Sequence, residues 1–431
     1  MKVNTVLSDF FIFIFLWQLF FNNVVGVRIP PVMFWPIFTI CLFCYWLGLD
    51  RKRLFFPKGT SLFLVGMVYI IISGFFSGIV GYAGDALYTA FRLVLYFISM
   101  IMVVSFVQFR KDWIAYVSKV AFALALIHAF FVYLEFLAPS VYFAVDFQGW
   151  EHTKSARDFM KAGAYVGLPG QTSDTAMSLC IGLVFSLYIF NLNLRKKKKW
   201  WILVGQLILL TSIFLTQRRM TTGLACVVFA YEFLVFFNGR TKLFGVLFSV
   251  LFLLFFGWEA IPGLASVLGK MDRYMDMGDI TSGRTVLWAK ALSLFIDSPF
   301  LGSGWGAYVT KFDGGFAGAA HNSFLQLLGE LGVIGFVCFF SYHIMCLHFF
   351  LRLFFRRNFN PGVRAISACF FGYWYVSCFF EGLFYDTEAV CFLLLVELIV
   401  QYEWKNRKPV NYVDDVTCRK ENESEVLFCQ V

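Results

Sequence analysis

The sequence predicts an all-α polytopic membrane protein with about twelve transmembrane helices and two larger loops on one face. Two observations carry this prediction. Of the 431 residues, 60% are hydrophobic and only 15% are charged. A soluble domain carries about 25% charged residues to cover its surface, so the composition excludes a single soluble core. In addition, charge-free apolar runs of the length that a bilayer requires recur along the chain.

The apolar runs define the predicted spans in order. The first run has no small-residue cleavage site after it, so we expect a retained helix and not a signal peptide. The predicted spans are 8–27, 31–49, 59–81, 86–109, 114–137, 174–194, 200–217, 219–238, 243–258, 321–351, 364–381 and 387–403.

Two segments between the spans are too long to be turns, and loops of that size in a compact helical protein usually carry function. The predicted organisation is a five-helix membrane region 1–137, a first loop 138–173, central membrane helices 174–258, a large loop 259–320 with short amphipathic helices, C-terminal membrane helices 321–404 and a tail 405–431.

Lysine and arginine predict the orientation because basic side chains resist translocation. They collect in 51–58, 110–111, 195–199, 240–242 and 352–364, whereas the short loops on the other side hold only Arg28, Arg218 and Arg219. Both termini and the tail are therefore predicted to be cytoplasmic, with the two long loops on the opposite face. The net charge of +9 is explained by this anchoring against anionic lipid, and we expect no nucleic-acid partner.

Cysteine usage argues against a disulfide framework or a metal centre. Most of the 11 cysteines lie inside apolar runs. Cys41 and Cys44 have the C-x-x-C spacing but no histidine or acid nearby, which favours helix packing. The long loops carry no cluster of His, Asp and Glu at metal-ligand spacing, so the sequence predicts metal independence.

Three arginines lie at positions where membrane protein sequences usually lack basic residues. Arg218 and Arg219 occupy a short turn on the face that basic residues avoid. They either reach lipid headgroups or form an anion site, since arginine presents a planar fork that matches phosphate oxygens. Arg92 lies inside the fourth span, where it either contacts substrate or pairs with an acid such as Glu135.

The large loop contains the densest set of motifs. Apolar residues between Arg284 and Pro299 predict a short amphipathic helix. The glycines from Gly302 to Gly306 are not followed by Gly-Lys-Ser/Thr, so a tight turn is preferred to a phosphate cradle. Trp150 and Trp305 are candidates for stacking on a sugar ring.

His321 stands where the large loop enters a long apolar helix. The positive end of the helix dipole disfavours imidazolium and would leave His321 neutral and able to accept a proton. A purely structural histidine is the alternative. Glu381 and Asp386 bracket the last turn on the same face, where they either orient His321 or the acceptor or are only solvated turn residues.

These motifs together resemble the bacterial O-antigen ligase and O-antigen polymerase superfamily of integral membrane glycosyltransferases. The resemblance covers about 160–350 and rests on three segments. They are Thr216 to Arg219, the series Gly283-Arg284, Trp288, Pro299 and Gly302-x-Gly304, and the series His321-Asn322, Leu325, Glu330-x-Gly332 and Gly335. The family commonly has Ser-Arg where this chain has Arg218-Arg219, so which arginine faces the substrate stays open.

The resemblance implies a GT-C-like enzyme of the bacterial inner membrane, with no cofactor and a periplasmic active site. Its donor would be an undecaprenyl-diphosphate-linked oligosaccharide and its acceptor a saccharide. His321 would be the catalytic base, and Arg219, Arg284 and Arg218 would bind the diphosphate. Arg92, Asn322, Glu381 and Asp386 are further candidates for substrate contact or for a structural role. Other expected partners are membrane lipid and a chain-length regulator protein.

Three functions are compatible with these features. The preferred one is an O-antigen polymerase that joins repeat units with loss of undecaprenyl diphosphate. The alternative is an O-antigen ligase that transfers the polysaccharide to the lipid A core. A transporter or flippase fits less well, because the unusual charges collect at one face and not near the bilayer midplane.

Overall fold

In the computed structural model, helices account for the architecture, and no strand occurs in the described residues. The described residues are 2–21, 31–48, 54–76, 80–107, 112–144, 150–168, 171–192, 196–237, 239, 241–243, 245–250, 284–312, 319–355 and 360–406. The predicted all-α class is confirmed. Much of the predicted span 243–258, half of the predicted loop 259–320 and the tail from residue 407 onward lie outside the described residues.

The helices follow the order of the predicted spans, with short helices added between them. They are α1 Lys2–Phe21, α2 Pro31–Leu47, α3 Thr60–Phe76, α4 Val80–Val107, α5 Trp113–Leu137, α6 Pro139–Ala144, α7 Trp150–Lys161, α8 Thr172–Asn191, α9 Lys196–Leu215, α10 Arg219–Phe236, α11 Arg284–Asp297, α12 Ala307–Phe312, α13 Ser323–Phe355, α14 Pro361–Cys378 and α15 Thr387–Asn406, with a 3₁₀ turn at Leu383–Tyr385.

The lengths and composition of these helices agree with a polytopic membrane protein. Four of the described helices are long and apolar enough to cross a bilayer, namely Ala86–Ser105 of α4, Trp113–Leu137, Thr172–Asn191 and Ser323–Phe355. Shorter apolar helices accompany them in the described chain. The total of about twelve spans stays a prediction.

Helix α8 lies at the centre of the bundle. It packs against α5, α9, α10 and α14, and most of its surface is buried. A Cβ added at Gly182 would lie 2.0 Å from the Cβ of Ala125 on α5. Small residues at this contact let the two backbones approach closely, which is the usual source of attraction between helices that lack a hydrophobic driving force in lipid.

Buried polar contacts connect other helices of the bundle. His343 Nδ1 of α13 lies 2.7 Å from Glu397 Oε1 of α15, and both side chains are fully buried. His128 of α5 bonds through Nε2 to the carbonyl oxygen of Phe20 at 2.7 Å. Both histidines therefore have partners inside the bundle.

Helix α13 is broken at Gly332, whose φ of 62° and ψ of −176° lie outside the helical region. The turn that precedes α12 supplies the missing backbone partners. Val333 N donates to Pro299 O at 2.8 Å, and Gly304 N donates to Glu330 O at 2.8 Å. A Cβ at Gly332 would lie 2.4 Å from Phe300 O, so only glycine allows this approach.

Glu135 of α5 holds the end of the first loop. Its Oε2 accepts hydrogen bonds from the backbone N–H groups of Val166 and Gly167, each at 2.8 Å. Oε1 of the same carboxyl has no hydrogen-bond partner. Glu135, which the sequence offered as one possible partner of Arg92, therefore binds the loop backbone.

Replacing Gly332 with alanine is expected to destabilise the protein by roughly 1–3 kcal/mol or more, because alanine adds both a steric clash and an unfavourable positive φ. The measurement is thermal unfolding of the detergent-purified protein. Gly372→Ala is the matched control, since a Cβ on this α14 residue meets nothing within 4 Å. Equal unfolding temperatures for the two variants would contradict the proposed role of the break.

Candidate functional site

A cavity of about 240 Å³ opens at one end of the bundle. It forms where the first turns of α8 and α10, the approach to α13 and the turn after α14 meet. Its polar lining comprises Ser173, Asp174, Arg218, Thr221, His321, Tyr373, Ser377, Glu381 and Asp386. The fold therefore brings together residues that lie about 200 positions apart in the sequence.

Glu381 is the central charge of this cavity. Its Oε1 lies 3.5 Å from Arg218 Nη1, and its Oε2 lies 3.7 Å from His321 Nδ1. The hydroxyl of Ser323 donates to the backbone carbonyl of Glu381 at 2.8 Å. Of the two interpretations left open by the sequence, the structure favours an orienting role, because the carboxylate is in contact with both His321 and an arginine.

The surroundings of Glu381 change its acidity. Partial burial raises the pKa of the carboxyl, but the interaction with His321 and the positive charges of Arg218 and Arg284 outweigh it. The net effect is a pKa below the ordinary value of 4.5. Glu381 therefore stays ionised at neutral pH and provides a negative charge beside the imidazole.

His321 adopts a backbone conformation that is rare for a residue with a side chain. Its φ is 49°, in the left-handed region. Such conformations cost about 1–3 kcal/mol and are kept where the surroundings impose them, often at functional sites. The side chain is 45% exposed, so the ring is accessible from the cavity while its Nδ1 faces Glu381.

Asn322 is a helix cap and not a residue that faces the cavity. Its Oδ1 accepts hydrogen bonds from Phe324 N and Leu325 N, each at 3.1 Å, and the residue is buried. Asp386 caps α15 in the same way, since its Oδ1 accepts from Ala389 N at 3.1 Å. Both caps fix turns that carry His321 and Glu381.

Arg218 is the arginine of the Arg218-Arg219 pair that lines the cavity. Its Nε donates to Thr172 Oγ1 at 2.8 Å, which ties the start of α10 to the start of α8. The preceding residue, Gln217, has a φ of 59°, so the chain turns sharply before α10. Arg219 is the first residue of α10, and its side chain lies outside the described part of the structure.

Arg284 lies at the edge of the same group of charges. It is the first residue of α11, and its guanidinium carbon lies 5.9 Å from the centre of the Phe380 ring. It is close enough to lower the pKa of Glu381. The helix predicted between Arg284 and Pro299 is confirmed, and its buried residues Ala291 and Leu294 lie on the side that packs against α13.

Arg92 is not among the residues that line the cavity. Its Nη2 donates to the hydroxyl of Tyr96 at 2.9 Å, and its guanidinium carbon lies 5.4 Å from the centre of the Tyr88 ring. These contacts lie along α4 itself. They favour the structural interpretation of Arg92 over substrate contact.

Glu330 is a residue of the site region to which the sequence analysis assigned no role. Its carboxylate is fully buried and accepts hydrogen bonds from Gly306 N at 3.0 Å, Tyr308 N at 3.2 Å and the Tyr385 hydroxyl at 2.8 Å. It thus joins α13 to the glycine turn and to the turn that carries Glu381. The sequence feature that could have identified Glu330 is an acidic residue inside an apolar run, two residues before Gly332.

The segment from Gly302 to Gly306 forms a turn, as expected. The alternative interpretation of this segment as a phosphate cradle is wrong. Gly304 N donates to Glu330 O and Gly306 N donates to Glu330 Oε2, so neither amide is free to bind phosphate. Trp305 is buried and stacks on Tyr385 with ring centres 4.8 Å apart, which removes it from sugar stacking. The side chain of Trp150 lies outside the described residues.

The described residues hold no group of three or more His, Cys, Asp or Glu side chains arranged to bind a metal ion. Metal independence stays a prediction. The charged and titratable groups that the described part of the cavity provides include the imidazole of His321, the guanidinium of Arg218 and the carboxyl groups of Asp174, Glu381 and Asp386. Such a set can bind an anion and accept a proton.

The fold and the site are those of a multi-pass membrane protein with a cavity lined by charged and polar side chains at one end of a helical bundle. A comparison with protein-family models agrees: residues 204–340 match the O-antigen ligase family. The matched segment contains Arg218, Arg284, His321 and Glu330, and it confirms the resemblance. It supports a function of the O-antigen polymerase or ligase type acting on lipid-linked saccharides. No curated protein matches the chain.

Replacing Asn322 with alanine is expected to lower stability by about 1 kcal/mol, because two backbone N–H groups of α13 lose their acceptor. Asn322→Asp should restore most of the loss, since a carboxylate caps equally well. Thermal unfolding in one detergent checks both variants. If the two lose stability equally, capping is not the role of this side chain.

Glu381→Gln should reduce stability at neutral pH by up to about 1 kcal/mol, because an ion pair that is partly exposed contributes little. Since the folded-state pKa lies below 4.5, the difference from wild type should be present above that pH. It should disappear as the pH falls through the lowered pKa. Unfolding temperatures measured between pH 7 and pH 3 check this.

The control for Glu381→Gln is Asp297→Asn, which removes the exposed pair between Asp297 and Lys311. We expect this variant to change stability by less than about 0.5 kcal/mol at any of these pH values. A Glu381→Gln difference that grew in acid would contradict the assigned direction of the pKa shift.

Proposed function

We propose that the protein is a glycosyltransferase that joins undecaprenyl-diphosphate-linked saccharide units at the periplasmic face of the bacterial inner membrane. The observation that carries the proposal is the convergence of His321, Arg218 and Glu381 on one cavity, with Arg284 nearby, inside the segment that matches the O-antigen ligase family. Both termini would then be cytoplasmic.

In the proposed reaction, the donor carries its own leaving group. A lipid diphosphate is already activated, so neither ATP nor a nucleotide sugar is needed on the outer side. Arg218 and Arg284 bind the diphosphate and stabilise the negative charge that grows on it as the glycosyl C–O bond breaks. Arg219 is a further candidate for this binding.

His321 acts as the general base of the proposed reaction. Because its Nδ1 faces Glu381, Nε2 is the nitrogen that accepts the proton of the acceptor hydroxyl. The acceptor oxygen forms the new bond to the anomeric carbon, and the lipid diphosphate leaves with the electron pair of the old bond. A single displacement of this kind inverts the anomeric centre. Glu381 positions His321 and stabilises the imidazolium that forms.

The acceptor distinguishes two enzymes of this type. We propose a polymerase, in which the acceptor is another lipid-linked repeat, because that branch of the superfamily tolerates divergent, phenylalanine-rich sequences such as this chain with its 57 phenylalanines. The second candidate is a ligase with the lipid A core as acceptor, because the matching family is described as O-antigen ligase.

Deleting the gene and separating the lipopolysaccharide on a gel tests the proposal. A polymerase predicts cores that carry a single repeat. A ligase predicts bare cores with long chains accumulating on the carrier lipid. An unchanged ladder would contradict both. In that case, saccharide flux into proteoliposomes without bond formation would support a transporter.

His321→Ala should reproduce the deletion phenotype at wild-type protein level and lower the transfer rate at least about a hundredfold, because the general base is lost. His348→Ala is the matched control, since His348 is an exposed histidine near the other end of α13. We expect it to leave the polysaccharide unchanged. Normal long chains in the His321→Ala strain would refute the catalytic assignment.

Arg218→Lys should lower the transfer rate roughly tenfold or more, because lysine keeps the charge but loses the bidentate fork. Arg219→Lys provides the comparison within the same turn. If Arg219→Lys loses activity and Arg218→Lys keeps it, the assignment of the diphosphate contact to Arg218 is wrong. In vitro transfer from a synthetic lipid diphosphate donor measures both.

A further inference from the structure

A second cavity, of about 390 Å³, lies at the opposite end of the bundle from His321. His321 and Glu381 precede α13 and α15, whereas this cavity lies near the last turns of the same two helices. Phe349 of α13 and Gln401, Trp404 and Lys405 of α15 line it. The segment 55–58 before α3 closes the remaining side.

The cavity combines two ammonium groups with aromatic walls. Lys405 Nζ lies 5.0 Å from the centre of the Phe55 ring, and Lys58 Nζ lies 5.8 Å from the centre of the Phe349 ring. Both lysines are exposed. Neither forms an ion pair with any residue in the described part of the chain. The cavity thus presents two positive charges without an internal counter-charge.

Hydrogen bonds from a buried side chain fix the backbone of Lys58. Gln401 is buried, accepts a hydrogen bond from Lys58 N at 2.6 Å and donates one to Lys58 O at 3.3 Å. The same amide nitrogen lies 3.4 Å from the hydroxyl of Tyr342 on α13. The backbone of the segment before α3 is therefore held against α13 and α15, with the lysine at the mouth of the cavity.

We propose that this cavity binds the phosphate headgroup of an anionic phospholipid. The amphipathic ring of Trp404 suits the membrane–water interface, where such rings anchor a protein. The two lysines match a phosphodiester, and the volume lies within the range of small-molecule sites. The segment 51–58 belongs to the basic loops that predict the cytoplasmic side, so the occupant is a lipid of the inner leaflet. This inference is independent of the proposed glycosyl transfer.

Phosphatidylglycerol binding to the purified full chain, measured by native mass spectrometry, tests the proposal. Wild-type protein should bind phosphatidylglycerol saturably and phosphatidylcholine much more weakly. The double variant Lys58→Gln, Lys405→Gln should bind phosphatidylglycerol roughly thirtyfold more weakly, because each basic residue near the surface contributes to the attraction. Both lysines are exposed, so we expect the variant to fold.

The matched control is the double variant Lys199→Gln, Lys242→Gln. It removes two lysines from the same predicted face, and Lys199 also lies over a phenylalanine ring, that of Phe190, at 5.1 Å. Neither control lysine lines the cavity. An equal loss in both double variants would show diffuse attraction and overturn the proposal. So would an unchanged affinity of the cavity variant.

Competition by inorganic phosphate distinguishes the two sources of the anion. If the site is a lipid site, millimolar inorganic phosphate should leave phosphatidylglycerol binding unchanged, because the glycerol backbone and acyl chains add contacts that the free ion lacks. Displacement of the lipid by inorganic phosphate would overturn the lipid as the occupant in favour of the free ion.

Discussion

The site depends on how the broken helix α13 satisfies its backbone inside an apolar bundle. A break at Gly332 frees N–H and C=O groups in buried, apolar surroundings, where unpaired groups cost several kcal/mol each. The glycine turn supplies those partners through backbone bonds at Pro299 and Gly304. The large loop is therefore fixed to α13 by the same interactions that make the break tolerable.

The buried carboxylate of Glu330 extends this connection to the site. It holds the glycine turn through Gly306 and Tyr308, and it holds the turn after α14 through Tyr385. That second turn carries Glu381, which in turn contacts Arg218 and His321. A buried polar group is costly unless it is hydrogen-bonded, and Glu330 meets that condition with donors from both turns.

The two ends of the bundle differ in the charged side chains that line their cavities. At the end that holds His321, the described side chains that line the cavity include three acids, Asp174, Glu381 and Asp386, with one arginine and one histidine. At the opposite end, Lys58 and Lys405 face a cavity with aromatic walls and no compensating acid among its lining residues.

The sequence by itself determined the helical class, the order of the spans and the residues worth attention. A helix that faces lipid must be apolar over its whole length, so apolar run length alone predicts such helices. Helix α5 at Trp113–Leu137 matches the predicted span 114–137 closely for this reason. His321, Arg218 and Glu381 were identified because charges near a membrane are costly and need a reason. The family match to 204–340 then agreed with the motifs.

Only the tertiary structure decided which of those residues meet. Arg218, His321 and Glu381 come from three separate segments, and no local pattern encodes the distance between them. The same holds for residues whose roles the sequence left open. Glu135 binds a loop backbone and not Arg92, and Asn322 caps a helix and does not face the cavity. A polar side chain takes whichever partner packing brings within about 3 Å, and that partner is set by long-range contacts that sequence spacing does not contain.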